Sequence, residues 1–558
     1  MKISWEHNTK KILLIGMAVL LVLQLCVLFY YGSRKSGFHE DELYTYYSSN
    51  KTAGLFVSDR QWLLGEELRN ELVVLPGEQF RYGVVKQMQS WDVHPPLYYY
   101  IFHTVCSLFP GVFSKWLGIG VNMIAYVVCF VLLGYASYTV MTAGDEEGHR
   151  QESAMAFSFV TCFAWGFCPA VISGVMFIRM YQWLTLFVLL CLCLHLRAMK
   201  KQDFRIGSFL VPVMVTVFLG FSTQYYYIIF HFFLGMGFCA LLVWRRKIKE
   251  LFAYAFFCAL GLGVAILYYP AGMAHIFRGY RGTEAVSEFG DVSNTWGRLR
   301  FFVGLFDDYV MNGMLAVFLL VICLLWLTVW YQSKRKRVAK SSVAVRVNVA
   351  EEGFGTGQIV GWMLFTCAGY FFTISKTALL LGETSNRYQL PIYGILLFLL
   401  FYFISAPVFS VGKETKQGQR ILCLVLAVVF LCSNGLALKN GKVFFLYEED
   451  AVMTELVREN KDVPMMVCYR EDSSDNIWRL SNELIEYSQI YLASLGNPTP
   501  IEEYEITESN RLLVFAADYD NQKEQLAQLL SANSHLTDGR IAAVKGVWTL
   551  YELWGEES

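Results

Sequence analysis

Apolar residues occur along this chain in blocks of about 20 residues, separated by shorter polar loops. A helix that crosses a membrane needs about 20 consecutive, mostly apolar residues. The pattern therefore predicts a polytopic α-helical membrane protein with about 11 transmembrane helices. The predicted spans lie near residues 11–31, 115–141, 153–176, 180–198, 207–222, 225–243, 251–270, 312–331, 357–379, 388–407 and 420–437.

Basic residues predict the orientation of these spans. Lysines and arginines cluster near residues 10, 200, 246, 335 and 416, and basic loops favour the cytoplasmic side of a membrane. A cytoplasmic N-terminus places every cluster on that side. The first apolar block is longer than a signal-peptide core and no small-residue cleavage site follows it, which predicts a retained anchor.

This orientation depends on the apolar segment 95–111, PPLYYYIFHTVCSLFPG. It has only about 15 residues between its prolines, which is too short for a span. We therefore predict an interfacial helix within a long outer loop, residues 32–114. Its three tyrosines, Tyr98, Tyr99 and Tyr100, are expected in the headgroup zone.

The pattern changes after residue 439. Short apolar runs, VPMMV, RLLVFAA and GVWTLYELW, alternate with the helical patterns NIWRLSNELIEYSQIYL and NQKEQLAQLLSAN. We predict two domains: residues 1–439 form the transmembrane domain, and residues 440–558 form an extracytoplasmic α/β domain.

Composition excludes some functions. The chain has 558 residues, 55% of them hydrophobic, and a net charge of −1, so the basic surplus of a nucleic-acid-binding protein is absent. Most of the 14 cysteines lie inside apolar blocks, and no CxxC pair is present. The sequence predicts no cofactor, and a requirement for a metal is left open.

Two acidic clusters lie in the predicted outer loop. FHEDELYTYY, residues 38–47, follows the first span, and WDVHPP, residues 91–96, precedes the interfacial helix. Asp92 is positioned to cap that helix, because acidic residues favour helix N-termini. His39 and Glu40 are expected to be ordinary surface residues.

The order of these motifs resembles a known family. A span, Asp41-Glu42, a variable loop and then Asp92-x-His94-Pro-Pro resemble the bacterial branch of the protein O-mannosyltransferase and aminoarabinose transferase group, glycosyltransferase family 39. IRMYQ (178–182), TQYYY (223–227) and NRYQLP (386–391) are similar to three further motifs of that group. Gln224 stands where many relatives have histidine, so no role of that histidine is carried over.

The resemblance implies a GT-C fold and transfer of a sugar from a polyprenyl-phosphate donor at the outer face of a bacterial plasma membrane. It implies that Asp41 is the general base and that Glu42, which points in another direction, orients the acceptor or a neighbouring residue. One base predicts inversion at the anomeric carbon. The acceptor is left open among glycan, lipid and protein, and membrane lipid is the other expected partner.

A donor phosphate needs cations to stabilise its departure. Arginine fits phosphate oxygens with a planar fork, which makes Arg179 and Arg387 the leading candidates, accompanied by Tyr181 and Tyr388 of the same motifs. His94, next to Asp92, is expected to bond a carboxylate or the phosphate; a metal-ligand role stays open. Further phosphate candidates are Lys376, Arg278 and Arg281.

Two other functions remain as alternatives. Multi-span proteins are often transporters or flippases of lipid-linked or envelope substrates, which place ionisable residues near the middle of the bilayer and show repeated halves. No internal repeat is visible here, and charged residues concentrate at one predicted membrane face. The last alternative is a membrane scaffold for the C-terminal domain.

Overall fold

A computed structural model of the chain describes residues 2–51, 59–145, 150–339, 354–411, 416–469, 477–494, 509–517, 531 and 533–555. Most of these residues are helical. The α-helices, in chain order, are α1 (Lys2–Arg34), α2 (Glu40–Asn50), α3 (Gly65–Asn70), α4 (Tyr82–Trp91), α5 (Leu97–Leu108), α6 (Lys115–Met141), α7 (Gln151–Gly166), α8 (Pro169–Met176), α9 (Tyr181–Lys201), α10 (Val211–Thr223), α11 (Tyr226–Trp244), α12 (Ile248–Tyr268), α13 (Ala271–Phe277), α14 (Tyr280–Gly290), α15 (Thr295–Phe306), α16 (Leu315–Ala339), α17 (Thr356–Thr377), α18 (Asn386–Val411), α19 (Lys416–Lys439), α20 (Asp450–Glu459) and α21 (Ser481–Leu484). Short π-helices, Ile206–Leu210 and Asp307–Met311, precede α10 and follow α15, and a 3₁₀ turn, Gly382–Ser385, precedes α18.

Within the described residues, ten helices are long and apolar enough to cross a membrane, and the bent pair α7–α8 gives an eleventh span if counted as one. The predicted count of about 11 is therefore confirmed. α9 lies at the centre of the bundle, since 78% of its apolar window is buried, against 6% for α16 at the periphery. The helix that begins two residues after Arg179 is thus the most enclosed span.

The predicted span 153–176 is broken into α7 and α8, which meet at 61°. Pro169 occupies the first turn of α8, where a missing N–H is tolerated, and so starts a new helix. Gln24 packs against Gly166 at the break and donates to the Cys162 carbonyl at 3.0 Å, while Tyr126 donates to Gln24 at 2.7 Å. This polar contact inside the bundle holds the bend.

The predicted interfacial helix is α5, which has 12 residues and does not qualify as a span. Two expectations about this region are wrong. Tyr98 and Tyr99 are fully buried in protein, not placed in a headgroup zone. Asp92 ends α4 and does not cap α5, whose N-cap is Pro96, because the two prolines displace the helix start beyond the reach of Asp92.

The C-terminal part contains a mixed six-stranded sheet, in the order β1-β3-β2-β4-β6-β5. The central strand β2 pairs in parallel with β3 and β4, and the remaining pairs are antiparallel. Alternate residues of β2 belong to separate buried clusters, so both faces of the sheet are covered. The strands are β1 (Gln61–Leu63), β2 (Met465–Tyr469), β3 (Ile490–Ser494), β4 (Arg511–Ala517), β5 (Asp538–Lys545) and β6 (Trp548–Trp554).

The sheet differs from the predicted pattern in three ways. Residues 476–492 were expected to be helical, but Ser481–Leu484 is the α-helix there and residues from Ile490 form β3. β5 was not predicted, since its residues are mostly exposed and lack a strong apolar alternation. The edge strand β1 comes from the first loop, outside residues 440–558. All of the expected helix over 521–533 except residues 531 and 533 lies outside the described residues.

Candidate active site

Four separate segments converge at one end of the bundle. They are the start of α2, the loop between α4 and α5, the loop between α8 and α9, and the start of α18. Each carries one of the motifs on which the sequence-based site prediction rests. The shared centre of the four segments is the backbone and side chain of Asp41.

His39 sets the start of α2. Its Nδ1 accepts a hydrogen bond from the Asp41 amide at 3.0 Å, and its own amide donates to Glu42 Oε2 at 2.6 Å, a capping box. Burial, together with Arg387 and Arg179, lowers the pKa of His39 to about 4 despite the opposing charge of Asp41. His39 is therefore a neutral helix cap, and its predicted role as an ordinary surface residue is wrong.

Glu40 also has a specific contact. Its carboxylate forms an ion pair with Arg479 of the C-terminal part, with Nη2 and Oε2 2.5 Å apart. It is thus not an ordinary surface acid, although more than four hundred residues separate the partners in sequence. The contact ties the residue next to Asp41 to the segment that leads into α21.

Glu42 lies in a fully buried junction. Its Oε2 lies 2.9 Å from Lys35 Nζ, and its Oε1 accepts from the Ile178 amide at 2.8 Å. Lys35 also donates to the Phe445 carbonyl at 2.6 Å. Burial raises the pKa of Glu42, and Lys35 and the two backbone amides oppose that shift. Glu42 therefore joins the first loop, the α8–α9 loop and the segment after α19.

Asp41 faces Arg387 across the site. Arg387 Nη1 donates to Asp41 Oδ2 at 3.0 Å; one third of the Asp41 side chain is exposed, against 5% for Arg387. Burial raises the pKa of Asp41, but Arg179 and Arg387 outweigh it and hold that pKa well below its usual range. The carboxylate is ionised and accessible, whereas its partner is buried.

Aromatic rings surround the Arg387 guanidinium. Its Cζ lies 5.1 Å from the ring centre of Phe177, 5.8 Å from that of Tyr181 and 5.0 Å from that of Tyr388. Its Nη2 also donates to the Tyr388 hydroxyl at 3.1 Å. Phe445 stacks on the outer side of Phe177 at 4.0 Å. The cage fixes the direction of the guanidinium and stabilises its charge.

Arg179 is the second buried cation of the site. Its Nη1 donates to the Asp41 carbonyl at 3.2 Å and to the Tyr99 hydroxyl at 3.0 Å, and reaches Thr45 Oγ1 at 3.3 Å. Its Nη2 lies 3.1 Å from His94 Nε2. Among the described residues, the Nε atoms of both Arg179 and Arg387 have no hydrogen-bond partner. Each arginine thus retains a spare donor.

Asp92 and His94 support Arg179. His94 Nδ1 lies 2.8 Å from Asp92 Oδ2. Because a guanidinium can only donate, His94 Nε2 must accept, so the imidazole proton is on Nδ1 and is donated to Asp92. Burial raises the pKa of Asp92, but His94 and Arg179 lower it to about 2. The result is a continuous chain from Asp92 through His94 and Arg179 to the Asp41 backbone.

Tyrosines extend the site towards the bundle. Tyr181 packs edge to face on Tyr388 with ring centres 5.7 Å apart, and Tyr226 of the TQYYY motif packs on the same ring at 5.9 Å. Gln224, which replaces the histidine of many relatives, is buried at the end of α10. All the motif segments singled out in the sequence therefore reach this end of the bundle.

The structure gives two of the three further phosphate candidates, Lys376 and Arg281, other contacts. Lys376 is buried and donates to Asp291 O and Thr295 Oγ1, bracing the loop before α15. Arg281 pairs with Glu284 at 3.1 Å on the surface. No group of three or more histidine, cysteine, aspartate or glutamate residues suited to a metal occurs in the part of the chain described here.

Sequence reasoning missed several residues that build the site: Lys35, Thr45, Tyr99, Phe177 and Phe445. Lys35, Thr45, Phe177 and Phe445 belong to no motif or spacing pattern that would mark them as site residues. For Tyr99 the run of three tyrosines was visible, but only the fold shows which ring faces Arg179.

Comparisons with known proteins support the fold. No family model and no curated protein matches the sequence. Among solved structures, the chain is similar to ArnT from Cupriavidus metallidurans bound to undecaprenyl phosphate, with a TM-score of 0.51, 10% identity, and coverage of 96% of this chain and 97% of that one. A second match, arabinosyltransferase EmbB from Mycobacterium smegmatis, has a TM-score of 0.32 and 10% identity, covering 80% of this chain and 40% of that one. The chain has the GT-C fold that the motif order predicted.

Proposed function

We propose that the protein is a membrane glycosyltransferase that moves a sugar from a polyprenyl-phosphate donor to an acceptor hydroxyl. Asp41 is the general base of this reaction, and Arg179 and Arg387 bind the donor phosphate. The observation that carries the proposal is an ionised, one-third exposed Asp41 carboxylate set between two buried arginines.

The chemistry follows from the charges. A sugar phosphate already has a leaving group, so transfer needs proton removal from the acceptor and stabilisation of the departing phosphate. Without donor, Asp41 is the counterion of Arg387, which makes it a weak base. A phosphate that binds the two guanidinium groups takes over part of that role, and the pKa of Asp41 then rises towards the useful range.

A single carboxylate at the reacting centre supports inversion. Retention needs a second carboxylate placed as nucleophile, about 5 Å from the first. The two acids next to Asp41 in sequence are both engaged elsewhere: Glu42 is enclosed by Lys35 and two amides, and Glu40 pairs with Arg479. We assign Glu42 to positioning: it fixes the α2 start and the α8–α9 loop, and thereby the Asp41 and Arg179 backbones.

The proposed class of donor rests on a solved structure of similar fold. The solved ArnT structure is bound to undecaprenyl phosphate, and it shares the fold over nearly the whole chain. The two-arginine site of the present chain suits a lipid monophosphate of this kind. We further propose, from the basic loops, that the N-terminus is cytoplasmic and the Asp41 site faces the outside of a bacterial plasma membrane. The acceptor is a glycan, lipid or protein hydroxyl presented at that face.

Replacing Asp41 by Asn tests the proposal. We expect transfer from a radiolabelled polyprenyl-phosphate sugar to envelope material to fall by about 10² to 10⁴, because the general base is lost. Binding of undecaprenyl phosphate should persist, since both arginines remain. Glu66→Gln is the matched control, because Glu66 is an exposed acid of the same loop that pairs with Arg69.

Two results would count against the enzyme. Unchanged transfer by the Asp41→Asn protein overturns the role of Asp41. In vesicles, movement of a lipid-linked sugar across the bilayer without formation of a glycosylated product would instead support the transporter or flippase.

A further inference from the structure

A cavity lies at the opposite end of the bundle from Asp41. α9 has 21 residues; it begins at Tyr181, beside the candidate active site, and ends at Lys201, on the rim of this cavity. At 1.5 Å per residue the helix is about 30 Å long, the thickness of a bilayer core. The cavity therefore opens at the other membrane face.

The cavity has a volume of about 840 Å³ and is formed where the α9–α10 and α11–α12 connections meet. Four basic and two acidic side chains line it, which leaves two positive charges in excess. The lining residues that carry charge are Arg197, Lys201, Arg205, Lys247, Asp203 and Glu250.

The basic residues are not equally available. Arg205 is held by Asp203 through two hydrogen bonds of 2.8 and 2.9 Å, so its charge is neutralised locally. Lys247 donates to a glutamine side chain and lies over a phenylalanine ring, without an acid. Arg197 and Lys201 form no ion pair with any residue of the described ranges. With Arg205 neutralised by Asp203, these three cations and Glu250 together account for the two positive charges in excess.

Large exposed apolar side chains lie within three residues, in sequence, of the residues that line the cavity; Ile206, Trp244 and Phe252 are called the apolar border. Ile206 is 61% exposed and Trp244 is 74% exposed, directly beside the two connections. Phe252, one turn along α12 from Ile248, is 69% exposed. A free phosphate ion gains no favourable contact with these apolar side chains, whereas the acyl chains of a lipid pack against them.

We propose that this cavity binds the phosphate headgroup of an anionic membrane lipid, in the leaflet opposite the Asp41 site. Arg197, Lys201 and Lys247 contact the headgroup, and the apolar border receives its acyl chains. Basic pockets between transmembrane helices are suited to such headgroups, because each Lys or Arg near the surface adds attraction. The site is separate from donor binding, and the proposal does not depend on the enzymatic function.

The test uses the full-length protein and two double variants. Arg197→Gln/Lys201→Gln removes the two unpaired charges, and Lys249→Gln/Lys334→Gln is the control, since these lysines are exposed on the same end of the bundle but do not line the cavity. Native mass spectrometry measures the number of phosphatidylglycerol molecules retained, with phosphatidylcholine as the neutral probe. Thermal unfolding in each lipid shows whether the variants are folded.

We expect one phosphatidylglycerol to be retained by the native chain and by the control, and roughly 30-fold weaker retention by the Arg197→Gln/Lys201→Gln protein. Phosphatidylglycerol should raise the melting temperature of the native chain but not of that variant, while all three proteins melt alike in phosphatidylcholine. Equal retention by both double variants overturns the proposal. Displacement of the lipid by millimolar inorganic phosphate also overturns it, because the site then binds a free anion.

Discussion

Arg387 donates to Asp41 across 346 positions of sequence, with Nη1 and Oδ2 3.0 Å apart. The arginine is nearly buried, and a buried cation without a counterion is strongly destabilising. Asp41 is that counterion in the structure. In the proposed mechanism, this contact holds the base beside the group assigned to the donor phosphate and would couple donor binding to proton removal through one hydrogen bond.

Arg387→Lys tests whether the site needs only the positive charge of Arg387 or also the geometry of its guanidinium group. Lysine keeps the positive charge but lacks the fork that reaches Asp41 and Tyr388 together. We expect transfer to fall by roughly 10²-fold, comparable to the loss of one oriented donor at a developing charge. Initial rates at increasing donor concentration measure the effect. Arg281→Lys is the control, and equal losses in both variants would refute a specific role for Arg387.

Asp92→Asn should change the hydrogen bond between His94 and Arg179 without any substitution at Arg179 itself. The amide can donate to His94 Nδ1, which moves the imidazole proton to Nε2, where it opposes an Arg179 N–H. We expect roughly tenfold weaker donor binding, the size of effect typical of outer-shell partners. Asp92→Glu retains an acceptor and should recover part of the affinity. If the Asn and Glu variants bind donor equally well, the tautomer has no role.

The Lys35–Glu42 pair should behave as one unit in unfolding experiments. Both side chains are fully buried, so Glu42→Gln leaves Lys35 uncompensated and should reduce the free energy of unfolding by about 3–5 kcal/mol. Lys35→Met should cost a similar amount. The Lys35→Met/Glu42→Gln protein should be more stable than the sum of the single changes implies. Additive losses, measured by denaturation in detergent, would show that the residues act independently.

His39→Asn should remove a pH dependence. The pKa of His39 is about 4 in the folded protein and 6.5 when unperturbed, so the unfolded chain binds the extra proton first. The stabilisation by His39 is complete above pH 6.5 and is lost as the pH falls towards 4. Asparagine caps a helix without titrating. The drop in melting temperature between pH 7 and pH 5 should therefore be smaller in the variant.

The clustering of the candidate site residues was predictable where a residue belonged to a motif near the outer end of an apolar block. Asp41, Arg179 and Arg387 satisfy both conditions, and the fold brings them together. Lys35 lies even closer to the first apolar block but belongs to no motif: its pairing with Glu42 is a buried contact that depends on how the first loop turns. Tertiary contacts of this kind leave no periodic signal in the sequence.

The spans were predictable because apolar length is a strong local signal, whereas the sheet was predicted only in part. β2, β4 and β6 are short apolar runs, and each was expected. The Ile490 strand was hidden within a segment whose preceding residues have helical spacing. β1 has only three residues, and its partner lies more than four hundred positions away.

The Gln61–Leu63 strand has a consequence for engineering the chain. Removing residues 440–558 takes away the β3 partner of this strand, the Phe445 carbonyl that accepts from Lys35, and the Arg479 side chain bound to Glu40. Such a truncation disturbs the loop that carries Asp41 as well as deleting the sheet. Swapping the C-terminal part between relatives will therefore require that the first loop travel with it as a single cassette.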